Sequence, residues 1–291
     1  SSSGKKIMDW LFLTFLSVIF RAIYGVMTKV LSNKLKVSAY TQATLLPLSG
    51  ALIGLLFSPF LGGLHLNFSE VSLLAVTLVV LGQGLGNIAY FAAMKNLTNG
   101  TAQIAFSSIL FFNTLLSLLF LNLHLSALNV FGLILLALAI ISVVTGKVEL
   151  HRKGVSLMIL AAFLFSVFQL SSGEISKQVG AATYLVIAYL GAALVVFAIK
   201  WRIVIADLAS AERRTTFGIP LLTALPSVGN FLFAYYAYRS APQTAKVAML
   251  LTSQVVVTVF LSYFFLKEKG NVLRKVLAAL LVVVSAILIK S

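Results

Sequence analysis

The sequence has little charge, because only 10% of its 291 residues are Asp, Glu, Lys or Arg and seven of these are acidic. A soluble protein normally has about a quarter of its residues charged, so the composition excludes a water-soluble enzyme. Cysteine is absent, which excludes disulfides, thiolate metal sites and cysteine nucleophiles. The three histidines are too scattered to form a metal site. With 60% hydrophobic residues, the chain is predicted to be an integral membrane protein that is not an enzyme and needs no cofactor or metal.

Apolar stretches follow one another along nearly the whole chain. A helix needs about 20 predominantly apolar residues to cross the hydrocarbon core of a bilayer. Ten stretches qualify: residues 8–31, 39–61, 71–95, 98–122, 127–146, 154–177, 183–200, 215–239, 242–266 and 271–290. Because a helix satisfies its own backbone polar groups, we predict an all-α, multi-pass protein of the inner (cytoplasmic) cell membrane, with ten transmembrane helices.

The two halves of the sequence are similar to each other. A shift of 143 residues places Gly86-Asn87 on Gly229-Asn230 and Thr101-Ala102 on Thr244-Ala245. We therefore predict two five-helix repeats, residues 8–147 and 154–290, after an N-terminal tail (residues 1–7) that includes a cloning remnant. An odd number of spans per repeat inverts the second half, a plan found in many carriers.

This architecture resembles the drug/metabolite transporter superfamily, specifically its EamA-type members, over essentially the whole chain. Agreement is best at Thr101-Ala102 and Thr244-Ala245. The break Leu266-Lys267-Glu268-Lys269 is similar to the family's hydrophobic-Gly-Glu-Arg turn, with lysine in place of the glycine. The first half has only Leu123-His124-Leu125-Ser126 at that place. The resemblance implies a carrier of small metabolites, often an exporter, with a central cavity formed by both halves.

Basic residues are unevenly distributed among the breaks between spans. Fifteen lie in odd-numbered breaks, whereas five lie in even-numbered breaks and the termini. Cytoplasmic breaks are enriched in Lys and Arg, so the count predicts that both termini lie outside the cytoplasm. The basic residues are not arranged as a nucleic-acid surface, so no nucleic-acid partner is predicted.

Arg21 lies near the middle of the first span, where a charge costs a few kcal/mol and therefore suggests function. Its guanidinium can hold a carboxylate or phosphate through two parallel hydrogen bonds. Internal pairing, with Glu174 or with helix-end carbonyls, is the alternative. Glu174 is the acid nearest to midplane and is a candidate for proton coupling or for an ion pair. Lys246 is either a second cationic contact or extends to the membrane surface.

Polar and aromatic side chains complete the predicted site. Tyr24 follows Arg21 by one turn on the same helix face. Asn87 and Asn230 are equivalent in the repeat, and each either binds substrate or bonds neighbouring helices. Tyr238 is assigned to the membrane interface beside Arg239. The predicted substrate-binding residues are Arg21, Tyr24, Asn87, Tyr90, Asn230, Tyr235 and Gln254.

The residues together predict a secondary transporter of a small polar metabolite, an amino acid or related zwitterion or anion, and the resemblance adds export. Its partners are the lipid bilayer and the substrate, with protons as a candidate coupling ion and a monomer or homodimer as the assembly. Close helix approach is expected at Gly82, Gly84 and Gly86, and a kink at Pro220 and Pro226. An exporter of organic cations or drugs, a lipid-precursor flippase and a non-transporting scaffold are the alternatives.

Overall fold

The computed structural model describes residues 2–65, 71–120, 126–144, 152–241, 247 and 250–289. All regular structure in these residues is helical. The helices are α1 (Ser2–Lys34), α2 (Ala39–Phe57), α3 (Leu73–Met94), α4 (Asn99–Phe106), α5 (Ile109–Phe120), α6 (Ala127–Val144), α7 (Arg152–Gln178), α8 (Ala181–Ser210), α9 (Arg213–Ser240), α10 (Gln254–Phe265) and α11 (Val272–Leu288). A short 3₁₀ turn, Ser58–Leu61, follows α2.

Most of these helices are built to cross a membrane. Within the described ranges, seven stretches are long and apolar enough, namely Trp10–Lys34, Ala39–Leu61, Leu73–Met94, Asn99–Phe120, Arg152–Gln178, Ala181–Ser210 and Thr215–Ser240. Ala127–Val143 and Leu250–Phe265 are shorter apolar helices. Large apolar side chains such as Leu73, Phe120 and Phe265 are about three-quarters exposed on the outside of the bundle, where a soluble protein would be unstable. The predicted all-α, multi-pass membrane fold is confirmed, and the count of ten stays a prediction.

The helices of the first half pack against those of the second in a symmetric pattern. The most extensive contacts join α3 to α7, α1 to α9, α2 to α8 and α6 to α11. Suppose that α1, α2, α3 and α6 of the first half correspond to α7, α8, α9 and α11 of the second. Exchanging the halves then turns the α3–α7 contact into the α1–α9 contact. The α2–α8 and α6–α11 contacts are unchanged by the exchange. This pairing is the one expected of two repeats related by a two-fold axis.

Glycines allow close approach between paired helices. A Cβ atom on Gly82 of α3 would lie 2.9 Å from the carbonyl oxygen of Leu164 and 3.0 Å from the amide nitrogen of Phe168, both in α7. A Cβ atom on Gly84 would lie 3.2 Å from the carbonyl oxygen of Ala192 in α8. The predicted role of these two glycines is therefore confirmed. Pro220 and Pro226 lie inside α9, which continues beyond both.

Two helices carry features that the apolar pattern did not predict. Pro47 lies inside α2, one turn before the close contact of Gly50 with the ring of Tyr189. α8 departs from helical geometry at Lys200, with φ −137° and ψ 35°. Beyond that break the chain carries Asp207, whose carboxylate accepts a hydrogen bond from the backbone N–H of Ser38 at 2.8 Å. The distal part of α8 is therefore attached to the start of α2.

Candidate functional site

A cavity of about 90 Å³ lies between the two halves, around the middle of the membrane-spanning helices. Residues of α1, α2, α3, α4, α7, α8, α9 and α10 line it. Six of the seven predicted substrate-binding residues are brought together there: Arg21, Tyr24, Asn87, Tyr90, Asn230 and Gln254. The volume suits a small molecule or several waters.

Arg21 is the only charged side chain among the described residues that line the cavity. It lies deep within the bundle and is accessible only in part. The side chains that interact with it electrostatically are those of Tyr24, Tyr90 and Tyr238. No described residue forms an ion pair or a hydrogen bond with the guanidinium. A buried charge normally has a partner, and the described residues provide none for Arg21.

The carboxylates that the structure describes form hydrogen bonds with groups other than Arg21. Glu174 is exposed, away from the cavity, and accepts a hydrogen bond from Nε2 of Gln178 at 3.1 Å. Asp207 and Glu268 bind the starts of α2 and α4. The internal Arg21–Glu174 pair that the sequence allowed is therefore not formed, and Glu174 does not reach the cavity. Lys246, the other candidate for coupling or an ion pair, lies outside the described residues.

Tyr235, and not Tyr238, is the tyrosine of α9 predicted to line the cavity, and the structure shows the reverse. Tyr235 is buried but lies off the cavity, since its hydroxyl donates to the carbonyl oxygen of Val179 at 2.9 Å and accepts from Arg239 at 2.9 Å. Tyr238, which the sequence assigned to the membrane interface, lines the cavity. The packing of α9 along α1 brings it there.

The two asparagines that the repeat makes equivalent have different surroundings. The side-chain oxygen of Asn230 accepts a hydrogen bond from Oγ of Ser17 at 2.8 Å, which joins α9 to α1. The Asn87 amide makes no hydrogen bond with a described residue, although its side chain is only 3% exposed. Gln83, one turn earlier in α3, also lines the cavity, and its carbonyl oxygen has no partner among the described residues. Asn87 and Gln83 are therefore the free polar groups of α3.

The hydroxyl of Tyr90, one of the predicted substrate-binding residues, belongs to a chain of hydrogen bonds. Nε2 of Gln103 donates to this hydroxyl at 2.8 Å, and Oγ1 of Thr28 lies 3.3 Å from it. Nε2 of Gln254 donates to Oε1 of Gln103 at 3.4 Å. The carbonyl oxygen of Gln254 is left without a partner among the described residues.

Aromatic rings that the sequence did not distinguish form the apolar wall. Ring centroids are 5.6 Å apart between Phe106 and Phe165, 5.6 Å between Phe168 and Phe231, and 4.7 Å between Tyr189 and Phe231. The rings of Phe165 and Phe168 join these contacts at 6.1 Å. The cavity thus combines one cation and several amides with a continuous aromatic surface.

Two stretches of the chain, residues 8–145 and 152–291, match the model of the EamA-like transporter family. The chain belongs to the EamA-like transporter family. The predicted membership of the drug/metabolite transporter superfamily is confirmed, and the protein is a membrane transporter, as members of this family are transporters and not enzymes. A solved structure titled "Crystal structure of protein" shares the fold, with a TM-score of 0.66 and 12% identity over 97% of this chain and 96% of that one. No curated protein is significantly similar to the chain.

In this EamA-like transporter, the turn that resembles the family motif holds the cavity wall in place. Oε1 of Glu268 accepts a hydrogen bond from the backbone N–H of Asn99 at 2.6 Å, and Oε2 accepts one from Gly100 at 3.1 Å. Lys275 lies 3.3 Å from the same carboxylate. A negative charge at a helix N-terminus is stabilising. Because α4 carries Gln103 on the cavity wall, this contact fixes the wall to the second half of the transporter.

Further polar contacts close the same end of the bundle. Nζ of Lys29 donates to the carbonyl oxygen of Met94 at 2.6 Å, and Nζ of Lys95 donates to that of Val37 at 2.6 Å. Burial lowers the pKa of the Lys95 ammonium, and the nearby Asp207 carboxylate acts in the opposite direction. These cations bind carbonyl groups near helix C-termini, which leaves them little freedom to bind a solute.

The cavity extends from the middle of the bundle toward the other end. Its lining residues in α7 and α9 lie in the second half of each helix, and those in α8 lie in the first third. Those parts of the three helices lie at one end of the bundle, where α7 ends at Gln178, α8 begins at Ala181 and α9 ends at Ser240. The part of the cavity formed by α7, α8 and α9 therefore lies toward the end of the bundle opposite to the polar contacts described above.

Proposed function

We propose that this EamA-like transporter exports a small polar metabolite that carries an anionic group, an amino acid or a related zwitterion or anion. The observation that carries the proposal is Arg21, a buried cation on a small cavity with no anionic partner among the described residues. A carboxylate can accept two parallel hydrogen bonds from a guanidinium and neutralise its charge. Such a ligand removes an unfavourable buried charge, whereas an organic cation adds a second one.

The proposed mechanism is alternating access between two inverted five-helix halves, residues 8–147 and 154–290. The symmetric pairing of α1 with α9 and α3 with α7 supports this arrangement, since each half can rock against the other about the site. The closed end formed around Glu268 and Lys29 then has to open during the cycle, while the end near Gln178 closes. Outward movement is the direction that the family resemblance favours.

The polar groups of α3 and α10 are proposed to bind the rest of the substrate. Asn87 and Gln254 line the cavity. The Asn87 amide makes no hydrogen bond with a described residue, and the carbonyl oxygen of Gln254 has no partner among them. Tyr24 follows Arg21 by one turn and borders the same space. Asn230 is proposed to position α9 through Ser17, and to contact substrate as well. The aromatic rings provide apolar contacts for the carbon skeleton.

Transport by purified protein in liposomes tests the role of Arg21. The probes are radiolabelled amino acids and small carboxylates, and the variants are Arg21→Gln and Arg21→Lys. A hydrogen-bonded charge pair contributes about 1.5–3 kcal/mol, so Arg21→Gln is expected to reduce transport about 10- to 100-fold. Lysine keeps the charge but cannot form two parallel hydrogen bonds, so its loss is expected to be smaller.

Arg202→Gln is the matched control, because Arg202 is exposed, lies against the ring of Trp201 and is remote from the cavity. It removes the same charge and is expected to transport at the unmodified rate. If Arg21→Gln moved every anionic and zwitterionic probe as fast as this control, Arg21 would not bind substrate and the proposal would fail.

A further inference from the structure

Two glutamines that line the cavity have a buried side-chain carbonyl oxygen with no hydrogen-bond donor among the described residues. One is Oε1 of Gln83 in α3 and the other is Oε1 of Gln254 in α10, so each half of the transporter contributes one. Both side chains are only 3% exposed. Buried acceptors are almost always paired in proteins, so an unpaired one on a cavity wall points to a donor that comes with a ligand.

The orientation of the Gln254 amide follows from a chain of hydrogen bonds that begins at α1. Oγ1 of Thr28 donates its one proton to the carbonyl oxygen of Gly25 at 2.8 Å, and a carbonyl can only accept. The hydroxyl of Tyr90 must therefore donate to Thr28, from 3.3 Å away. With its proton used in that way, Tyr90 can only accept from Nε2 of Gln103, at 2.8 Å.

The last hydrogen bond of this chain fixes the orientation of the Gln254 amide. Since Nε2 of Gln103 is directed at Tyr90, Oε1 of Gln103 faces Gln254 and accepts from its Nε2 at 3.4 Å. The remaining group of the Gln254 amide, its carbonyl oxygen, is left without a donor among the described residues. A glutamine could rotate its amide by half a turn in isolation, but here rotation breaks the hydrogen bond to Gln103 and turns two carbonyl oxygens toward each other. Gln254 therefore presents an acceptor and not a donor.

We infer that Gln254, together with Gln83, selects among the acids that Arg21 admits those that carry a second, hydrogen-bond-donating group. An ammonium group on the substrate can donate to both carbonyl oxygens and a hydroxyl group to one of them, while Arg21 satisfies the carboxylate. A plain carboxylate leaves both carbonyl oxygens without a donor. Thr28 is a positioning residue, because it sets the direction of the chain and does not line the cavity. The inference rests on the proposed function and adds the chemistry of the second group.

Competition experiments in the same liposomes test this selection. The probes are sets of acids with one carbon skeleton each, such as alanine, lactate and propionate, then leucine and phenylalanine with their hydroxy and unsubstituted counterparts. In the unmodified transporter, we expect the amino or hydroxy acid of the preferred set to compete at least 10-fold better than the unsubstituted acid. A site that hydrogen-bonds a substrate group rejects analogues that lack the group.

Three variants connect the selection to the residues. Gln254→Met and Gln83→Met remove one acceptor each at similar volume. Each is expected to reduce the ratio of the affinity for the amino or hydroxy acid to the affinity for the unsubstituted acid. Thr28→Val preserves side-chain shape but frees the chain to reverse, so the ratio is expected to fall while the affinity for the unsubstituted acid is kept. A general loss of folding would lower all affinities together and leave the ratio unchanged.

Gln169→Met is the control for the cavity glutamines, because the carbonyl oxygen of Gln169 already accepts from Nδ2 of Asn113 at 3.0 Å. It is expected to leave the ratio unchanged. Equal competition by all acids of every set, or an unchanged ratio in Gln254→Met, overturns the inference even if Arg21 proves essential. Failure of every acid to compete overturns both the inference and the proposed function.

Discussion

Replacing Gly82 by alanine tests the close contact between α3 and α7, which positions Gln83 and Asn87 on the cavity. The added Cβ atom would lie 2.9 Å from the carbonyl oxygen of Leu164 and 3.0 Å from the amide nitrogen of Phe168. Both are backbone atoms of a packed helix and cannot rotate away. The two helices must separate by about half an ångström to reach ordinary van der Waals distance. Overpacking of this kind costs about 1–3 kcal/mol.

Gly218→Ala provides the reference, because Gly218 lies inside α9 and a Cβ atom there would meet no atom within 4 Å. Alanine favours a helix over glycine by about 1 kcal/mol at both positions, so this contribution cancels in the comparison. The difference between the two variants is then the overpacking alone. We expect Gly82→Ala to unfold at a lower temperature, by about 2–4 °C for each kcal/mol of difference.

Thermal unfolding in detergent, followed by circular dichroism at one heating rate, measures this difference. Transport by the same two variants in liposomes gives a second measurement, since separation of α3 from α7 also displaces Gln83. If Gly82→Ala unfolded at or above the temperature of Gly218→Ala, the two helices would not be in the close contact described here. The explanation for the glycines of α3 would then be wrong.

Two other contacts give predictions of similar kind. Glu268→Ala should lower the free energy of unfolding by about 1–3 kcal/mol in thermal melts, because the first amides of α4 lose their acceptor and Lys275 loses its partner; a melt unchanged from that of the original protein would contradict the contact. Asp207→Ala should loosen the start of α2 by up to about 1 kcal/mol, since the backbone N–H of Ser38 loses its acceptor. Faster hydrogen exchange confined to the start of α2 would support this prediction, and unchanged exchange there would refute it.

The sequence was sufficient to predict the membrane fold and the central residue of the site. A charge in the middle of an apolar span has few roles, so Arg21 could be singled out without knowledge of its neighbours. The shared Gly-Asn step likewise identified Asn87 and Asn230. In both cases the residue type is unusual in its surroundings, which is why the sequence could single out residues that line the cavity.

The remaining site residues depend on helix packing, which the sequence does not encode locally. Because apolar residues occur on all sides of α9, no periodicity shows whether Tyr235 or Tyr238 faces the cavity. Phe231 and the other wall-forming rings look like any phenylalanine in a membrane helix. The difference between Asn87 and Asn230 arises from Ser17, more than two hundred residues away from Asn230. Such partners become visible only when α1 is placed beside α9.

The pairing of α6 with α11 has a practical consequence. A Cβ atom on Gly132 would lie 2.8 Å from the backbone nitrogen of Ile289, so the last helices of the two halves touch backbone to backbone. None of the described residues lining the cavity belongs to either helix. This pair is therefore suited to remain still while the substrate pathway rearranges. Small fluorescent labels could be attached along its outer, lipid-facing surface, at Leu138 or Leu280 for example, without obstructing the route taken by the solute.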